Sequence, residues 1–181
     1  EYTEGVDFTQ DEFYEMMSSS NDFPKTSQVS VDQFTEAYEK FYGEGYSEII
    51  YVSISSTGSS TYNNSLTARD EFFANHPEAN EKFKIHIIDS LNYTAAYGYP
   101  VIEAAKKAGR GISSDDIISF INEWLSCTEL HFVSYTLEYV RRSGRLSAGA
   151  AFMGALLGLT PVITATHGES HATDKVRGAK A

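Results

Sequence analysis

Cysteine is nearly absent: Cys127 stands alone in 181 residues. No intrachain disulfide can form, so cysteine usage constrains the compartment only weakly. Basic charge is scarce as well, with 14 Lys and Arg against 25 Asp and Glu and a formal net charge of -11. Nucleic acid and anionic membrane surfaces are bound through clustered Lys and Arg, so neither is an expected partner. The balance fits a cytoplasmic protein whose acidic charge keeps its surface wet. Long apolar runs are missing too. A membrane-spanning helix takes ~20 consecutive apolar residues. The longest apolar stretch here, Ala148 to Leu159, is short and interrupted by glycine. The first residues carry no signal-peptide pattern. The chain opens on Glu1 rather than Met and enters almost directly into a helix signal, so an upstream segment is expected.

Several chemistries lack their sequence frame. No Gly-Lys-Ser/Thr marks a phosphate-binding P-loop, and no Gly-x-Ser-x-Gly elbow frames a nucleophile. The histidines are His76, His86, His131, His167 and His171, and none forms a zinc spacing with Cys or a carboxylate. No catalytic residue, metal or cofactor is therefore expected. His86 and His131 fall in strand candidates and read as core or interface residues. Cys127, near a helix end, reads as buried filler rather than nucleophile.

What is present suffices for a packed core: 41% apolar residues and 13% aromatics, with 12 Tyr and 11 Phe. Thr9 and Glu12 form a capping-box signature, with Phe8 and Phe13 as a hydrophobic staple. Ser30 and Gln33 repeat the device, with Val29 and Phe34 as the staple. The helix behind Ser30 places Phe34, Ala37, Tyr38 and Phe41 on one face and stops at Gly43 and Gly45. Glu48 to Ile54 is a strand candidate, and a Ser/Thr/Gly loop from Ser55 to Thr61 leads into a helix from about Ser59 to Asn75. Phe83 to Ile88 is a second strand, followed by a helical run that stops at Gly109, with Pro100 near its start or at a kink. Ser113 to Asp116 caps a further helix with Ile117, Ile121, Trp124 and Leu125 inward.

Strand, helix, strand, helix in this order implies a parallel sheet flanked by helices, an α/β fold. Two strands are few for such a sheet, so its first strand region is expected upstream. After Cys127 the pattern changes. Leu130 to Tyr135 reads as a strand, Arg141 to Arg145 as a basic turn, and Ala148 to Leu159 as a small-residue helix. Pro161 to Thr166 and Ser170 to Val176 read as a hairpin around His167-Gly168-Glu169. The expected division is residues 1–128 as one α/β unit and 129–181 as the beginning of a second.

The Ser55–Thr61 loop is the most informative segment. It leaves the carboxyl end of a strand and enters a helix, the edge where open parallel sheets bind ligands. Helix amides, with hydroxyls at Ser59 and Thr61, suit a carboxylate or a phosphate; an ordinary serine-rich cap has the same residues. Pro24 to Gln28 is a polar turn. Arg145 beside Gly144 is either an anion clamp or a solvated charge. Ala148 to Leu159 either lines an apolar tunnel or forms a core helix.

Taken in order, the motifs resemble those of the DegV family, bacterial proteins that bind one long-chain fatty acid. Gly5-Val6-Asp7-Phe8-Thr9 with Phe13-Tyr14 is similar to the family's GVDIT…EFY opening, and Lys25-Thr26-Ser27-Gln28 to its TSQ turn. Ile54 to Tyr62 resembles ISSxLSGTY, and Asp89-Ser90 its DS. Thr136 to Tyr139 with Gly144 to Ser147 resembles TLEYLxxGGRIS. Leu159 to Ile163 resembles xKPIL, and Lys175 to Gly178 resembles KVRGR. The resemblance implies a non-catalytic subunit that holds a fatty acid and presents its carboxylate to a separate fatty-acid kinase catalytic subunit, giving an acyl-phosphate. By the same resemblance Thr26, Ser59 and Ser60 bind the carboxylate, Arg145 lies near the head group, and Arg177 meets the kinase.

This chain departs from the pattern in two places. Thr57-Gly58-Ser59-Ser60 stands where the family has x-Leu-Ser-Gly, and Tyr93, Tyr97 and Tyr99 stand where it has a small, glycine-rich helix start. Two other readings remain beside the carrier: an α/β enzyme using the Ser-rich loop for phosphate or nucleotide, and an interaction module whose pocket is filled by those tyrosines.

Overall fold

The computed structural model describes residues 2–3, 5–20, 22–133, 142–143 and 159–177. Helix α1 spans Gln10–Ser19 and α2 spans Val31–Gly43, and both open with the complete capping box read from the sequence. The Phe8 and Phe13 rings stack 5.6 Å apart, as the staple predicts. None of the α1 side chains is buried, so α1 lies on the outside. The chain then runs through strand β1 (Glu48–Ser53), helix α3 (Thr61–Asn75) and strand β2 (Lys84–Asp89). Helices α4 (Ala95–Ala108) and α5 (Ser114–Ser126) follow. Strands β1 and β2 pair in parallel from Glu48 opposite Lys84 to Ser53 opposite Asp89. Pro100 is buried inside α4 rather than at its first turn.

Side chains alternate across β1. Ile49 and Tyr51 pack with Ile85 and Ile87 against Phe34, Tyr38, Ala68, Phe72 and Phe83, the core shared with α2 and α3. Ile50 and Val52 pack with Ile88 against Ala104, Ile117 and Ile121 of α4 and α5. The arrangement is helix, sheet, helix: a mixed α/β fold with a small parallel sheet at its centre. On α5 the sequence expectation needs adjusting. Ile117 and Ile121 are buried, whereas Trp124 and Leu125 are only half-buried, and Trp124 is covered by Tyr99 at a ring distance of 5.1 Å.

Strands β3 (Leu130–Val133), β4 (Leu159–Thr166) and β5 (Glu169–Arg177) form a separate antiparallel sheet in the order β3-β4-β5. His167 and Gly168 turn the β4–β5 hairpin with φ of 51° and 85°. Positive φ at both central residues is the two-residue turn whose twist matches its strands. One burial expectation fails. Cys127 is exposed, because α5 ends beside it and its amide only closes the last turn onto Trp124. His131, read as a core or interface residue, is not in the core: it is exposed, its strand has only β4 beside it among the described residues, and its ring bonds the Thr164 hydroxyl at 2.9 Å. His86 is half-buried and pairs with Glu48 at 3.1 Å.

Candidate carboxylate-binding site

The carboxyl ends of β1 and β2 are tied together before either chain turns away. Ser90 donates its amide to Ser53 O at 3.2 Å, and Ser55 donates to Asn92 O at 3.0 Å. Asp89 Oδ1 accepts the amides of Ser56 at 3.1 Å and Leu91 at 3.0 Å. Ser53, Ser55, Ser90 and Asn92 are all buried. Most polar groups of this core bond one another, and Asn92 Oδ1 is the exception, buried with no hydrogen-bond partner among the described residues. The core fixes the start of the Ser-rich loop.

The loop then curls into α3. The amides of Gly58 and Ser59 both reach back to Ser55 O. Ser60 is the N-cap of α3, with φ of -73°, and its side chain makes no capping bond. By contrast α1, α2 and α5 are each capped by the hydroxyl of Thr9, Ser30 or Ser113. The first-turn amides of a helix require a partner, and at α3 no side chain of the cap residue supplies one. Ser60 lies in ordinary backbone space, so serine is accommodated where the family pattern carries glycine.

Ser59 Oγ accepts the Thr61 amide at 3.2 Å and lies 2.8 Å from Thr61 Oγ1. Thr61 Oγ1 also accepts the Val29 amide at 3.4 Å. With Thr61 donating to Ser59, the Ser59 proton is free to point outward. Val29 is held a second time, by Asn64 Nδ2 donating to its carbonyl at 2.7 Å. These bonds bring the turn before α2 against the mouth of α3. The result is an open pocket of about 320 Å³ lined by Thr26, Ser27, Gln28 and the five residues Ser56 to Ser60. Among the described residues its lining is almost wholly polar and includes neither a carboxylate nor a cationic side chain.

Three of the sequence candidates, Thr26, Ser59 and Ser60, thus meet at one pocket. Arg145 lies outside the described residues, as does most of the apolar stretch from Ala148, so neither is placed. Arg142 is described, and its guanidinium stands 6.0 Å from the Phe23 ring, close in sequence to Thr26. Arg177 ends β5 and is exposed. None of Tyr93, Tyr97 and Tyr99 lines the pocket. Sequence reasoning missed Asn64 and Asp89 as supports of the site. The signal for Asp89 was its place at the last position of a strand; Asn64 carried no local signal.

The β4–β5 turn rests on the back of the loop. Gly168 O accepts the hydroxyls of Thr57 and of Tyr93, the latter at 3.1 Å. Ser55 Oγ lies 2.9 Å from Thr57 Oγ1 and accepts the Thr57 amide. Among the described residues no cluster of His, Cys, Asp and Glu could hold a metal ion, and no helix is long and apolar enough to cross a membrane.

The fold and pocket define a mixed α/β protein with an anion-suited, hydroxyl-lined pocket at the carboxyl edge of its parallel strands. The chain belongs to the DegV family: the profile described as "Uncharacterised protein, DegV family" matches residues 1–181. The DegV domain-containing protein CPE0304 of Clostridium perfringens is 33% identical over 175 residues, 97% of this chain and 60% of that protein. The chain thus spans about 60% of the length of the curated relatives it matches. Among solved structures, a stearic acid-binding protein from Eubacterium ventriosum superposes with a TM-score of 0.85 at 25% identity, over 98% of this chain and 59% of that one. The fatty acid kinase (Fak) B3 protein of Streptococcus pneumoniae, loaded with linoleic acid, superposes with a TM-score of 0.77 at 27% identity, over 94% and 58%.

Proposed function

We propose that this chain carries the head-group site of a long-chain fatty-acid-binding protein, a non-catalytic subunit that presents the acyl carboxylate to a partner kinase for acyl-phosphate formation. The observation that carries the proposal is the meeting of a helix N-terminus, whose N-cap side chain makes no capping bond, with a pocket walled by hydroxyls and amides. A carboxylate withdrawn from water is costly unless several donors satisfy it. Thr26, Ser59 and Ser60 are the hydroxyl donors in this proposal, with the first-turn amides of α3 behind them. Arg145 is assigned to the head-group end and Arg177 to kinase docking. The acyl chain contributes most of the affinity, at ~0.8 kcal/mol per buried CH₂. Residues 1–128 form the first α/β unit and 129–181 begin the second. The ligand is the fatty acid itself and no cofactor is needed. A kinase that draws on ATP places the pair in the cytoplasm.

Support comes from relatives that hold stearic and linoleic acid. The hydroxyls and helix amides among the described lining residues suit a singly charged carboxylate. Titration calorimetry of the chain with oleate, oleyl alcohol and inorganic phosphate tests this. Oleate should bind, the alcohol more weakly, and phosphate not at all. Thr26→Ala with Ser59→Ala should weaken oleate by about ten- to a hundredfold, from hydrogen bonds to a charged group. Unchanged affinity in that variant removes both residues from the site. Stabilisation by phosphate without any lipid binding favours the enzyme reading instead.

A further inference from the structure

Gly58 has no room for a side chain, and the reason is a single residue. A Cβ built on Gly58 would lie 2.6 Å from Tyr93 Oη and 2.7 Å from Tyr93 Cε1. The three nearest atoms all belong to Tyr93. Gly58 does not have a positive φ, so backbone strain does not exclude an alanine there, and the nearest obstruction is the Tyr93 ring. The hydroxyl of the same ring donates to Gly168 O at 3.1 Å and lies 3.3 Å from Thr57 Oγ1. Gly168 is constrained in turn. Its φ is 85°, and a Cβ there would meet Ser55 Oγ at 2.8 Å.

These contacts interlock. One proton assignment satisfies the hydroxyls: Ser55 donates to Thr57, while Thr57 and Tyr93 both donate to the Gly168 carbonyl, which has two lone pairs. The Thr57 amide returns a bond to Ser55 Oγ. Thr57 and Gly58 line the pocket, and Tyr93 does not. Tyr93 therefore acts from behind the pocket wall. It presses on the wall at Gly58 and fastens it to the tip of the β4–β5 hairpin.

We propose that Tyr93 is a positioning residue of the head-group site: through Gly58 and Gly168 it locks the Ser-rich loop to the hairpin turn and so sets the donors that face the ligand. The proposal rests on the carboxylate reading of the pocket. Its steric half, the exclusion of a side chain at 58 by the ring at 93, stands independently.

The test is a double-mutant cycle of Gly58→Ala, Tyr93→Ala and the two combined, with Tyr93→Phe as a ring-preserving variant. Each is measured by melting temperature and by affinity for oleate and for oleyl alcohol. Gly58→Ala should lower the melting temperature and weaken oleate by about tenfold, one misplaced charge-assisted hydrogen bond's worth. Adding Tyr93→Ala should recover part of both losses, since the clash is gone. Tyr93→Phe should keep the melting temperature closer to the parent and weaken oleate more than the alcohol. Affinity for oleyl alcohol, which has no carboxylate, should hold steady across the series. Additive losses in the cycle, or equal losses for both ligands, would overturn the proposal. If the parent chain fails to prefer oleate over the alcohol, the carboxylate reading falls. Melting temperature then judges the lock alone: rescue of Gly58→Ala by Tyr93→Ala supports it, and additivity rejects it.

Discussion

The carboxylate of Asp89, the last residue of β2, accepts the backbone amide of Ser56 just beyond the end of β1 at 3.1 Å. The same oxygen accepts the Leu91 amide at 3.0 Å, where Leu91 has a φ of 49°. A non-glycine residue in left-handed space is held there by its surroundings. Asp89→Ala releases both amides and should cost roughly 1–3 kcal/mol, the penalty for stranding partly buried donors. Asp89→Asn keeps the acceptor oxygen and should lose less. Urea unfolding of the two variants compares them; equal losses would show that the negative charge, not the oxygen's position, is what matters.

Tyr38 sets an alkaline limit on stability. It is 2% exposed and donates to Ser65 O at 3.2 Å. Burial, seconded by the neighbouring Tyr51, pushes its phenol up to about 12. An unfolded tyrosine titrates near ~10. Below that pH both states keep the proton and the contribution is fully present. Above it the unfolded chain loses a proton the folded chain retains, so stability falls by up to ~1.4 kcal/mol per pH unit until the folded phenol titrates. Tyr38→Phe should flatten this fall between pH 10 and about 12, while costing about 1 kcal/mol at neutral pH. Parallel pH profiles for parent and variant would assign the alkaline fall to other groups.

The core shared by α2 and α3 depends on Phe72, which is fully buried and stacks near Tyr42, Phe73, His76 and Phe83 with ring distances of 4.9 to 5.7 Å. Phe72→Ala should cost about 3–5 kcal/mol through lost burial and the remaining cavity. Ile121→Ala, on the opposite face of the sheet, should cost about 2–5 kcal/mol. Chemical denaturation reads both, and a loss below 1 kcal/mol at either position would contradict the packing described.

Asn64 offers a way to move one wall of the pocket without emptying the core. Its Nδ2 holds Val29 O at 2.7 Å, next to the Thr26–Gln28 turn. Asn64→Ala should loosen that turn and weaken oleate by about three- to tenfold, with a stability loss of about 1 kcal/mol. Retained affinity would show that the turn is held by other contacts.

Much of this architecture was legible residue by residue. Both capping boxes, at Thr9–Glu12 and Ser30–Gln33, are built from residues three apart, so local sequence contains the whole device. The β4–β5 hairpin was legible from His167-Gly168 for the same reason. The Ser-rich loop was placed at the edge of the sheet by strand and helix order alone. Burial at Cys127 was misjudged because exposure depends on which distant elements cover a position, and apolar or polar character does not encode that.

By itself the sequence determined the α/β order, the helix caps and the presence of a hydroxyl-rich loop after the first strand, because each follows from interactions within a few residues. Only the tertiary structure decided that Thr26 faces Ser59 across one pocket, that Asn64 and Asp89 hold its walls, and that Gly58 and Gly168 close on Tyr93. Those pairings join segments tens of residues apart. Their geometry follows from how the sheets and helices pack, so no local pattern could specify it.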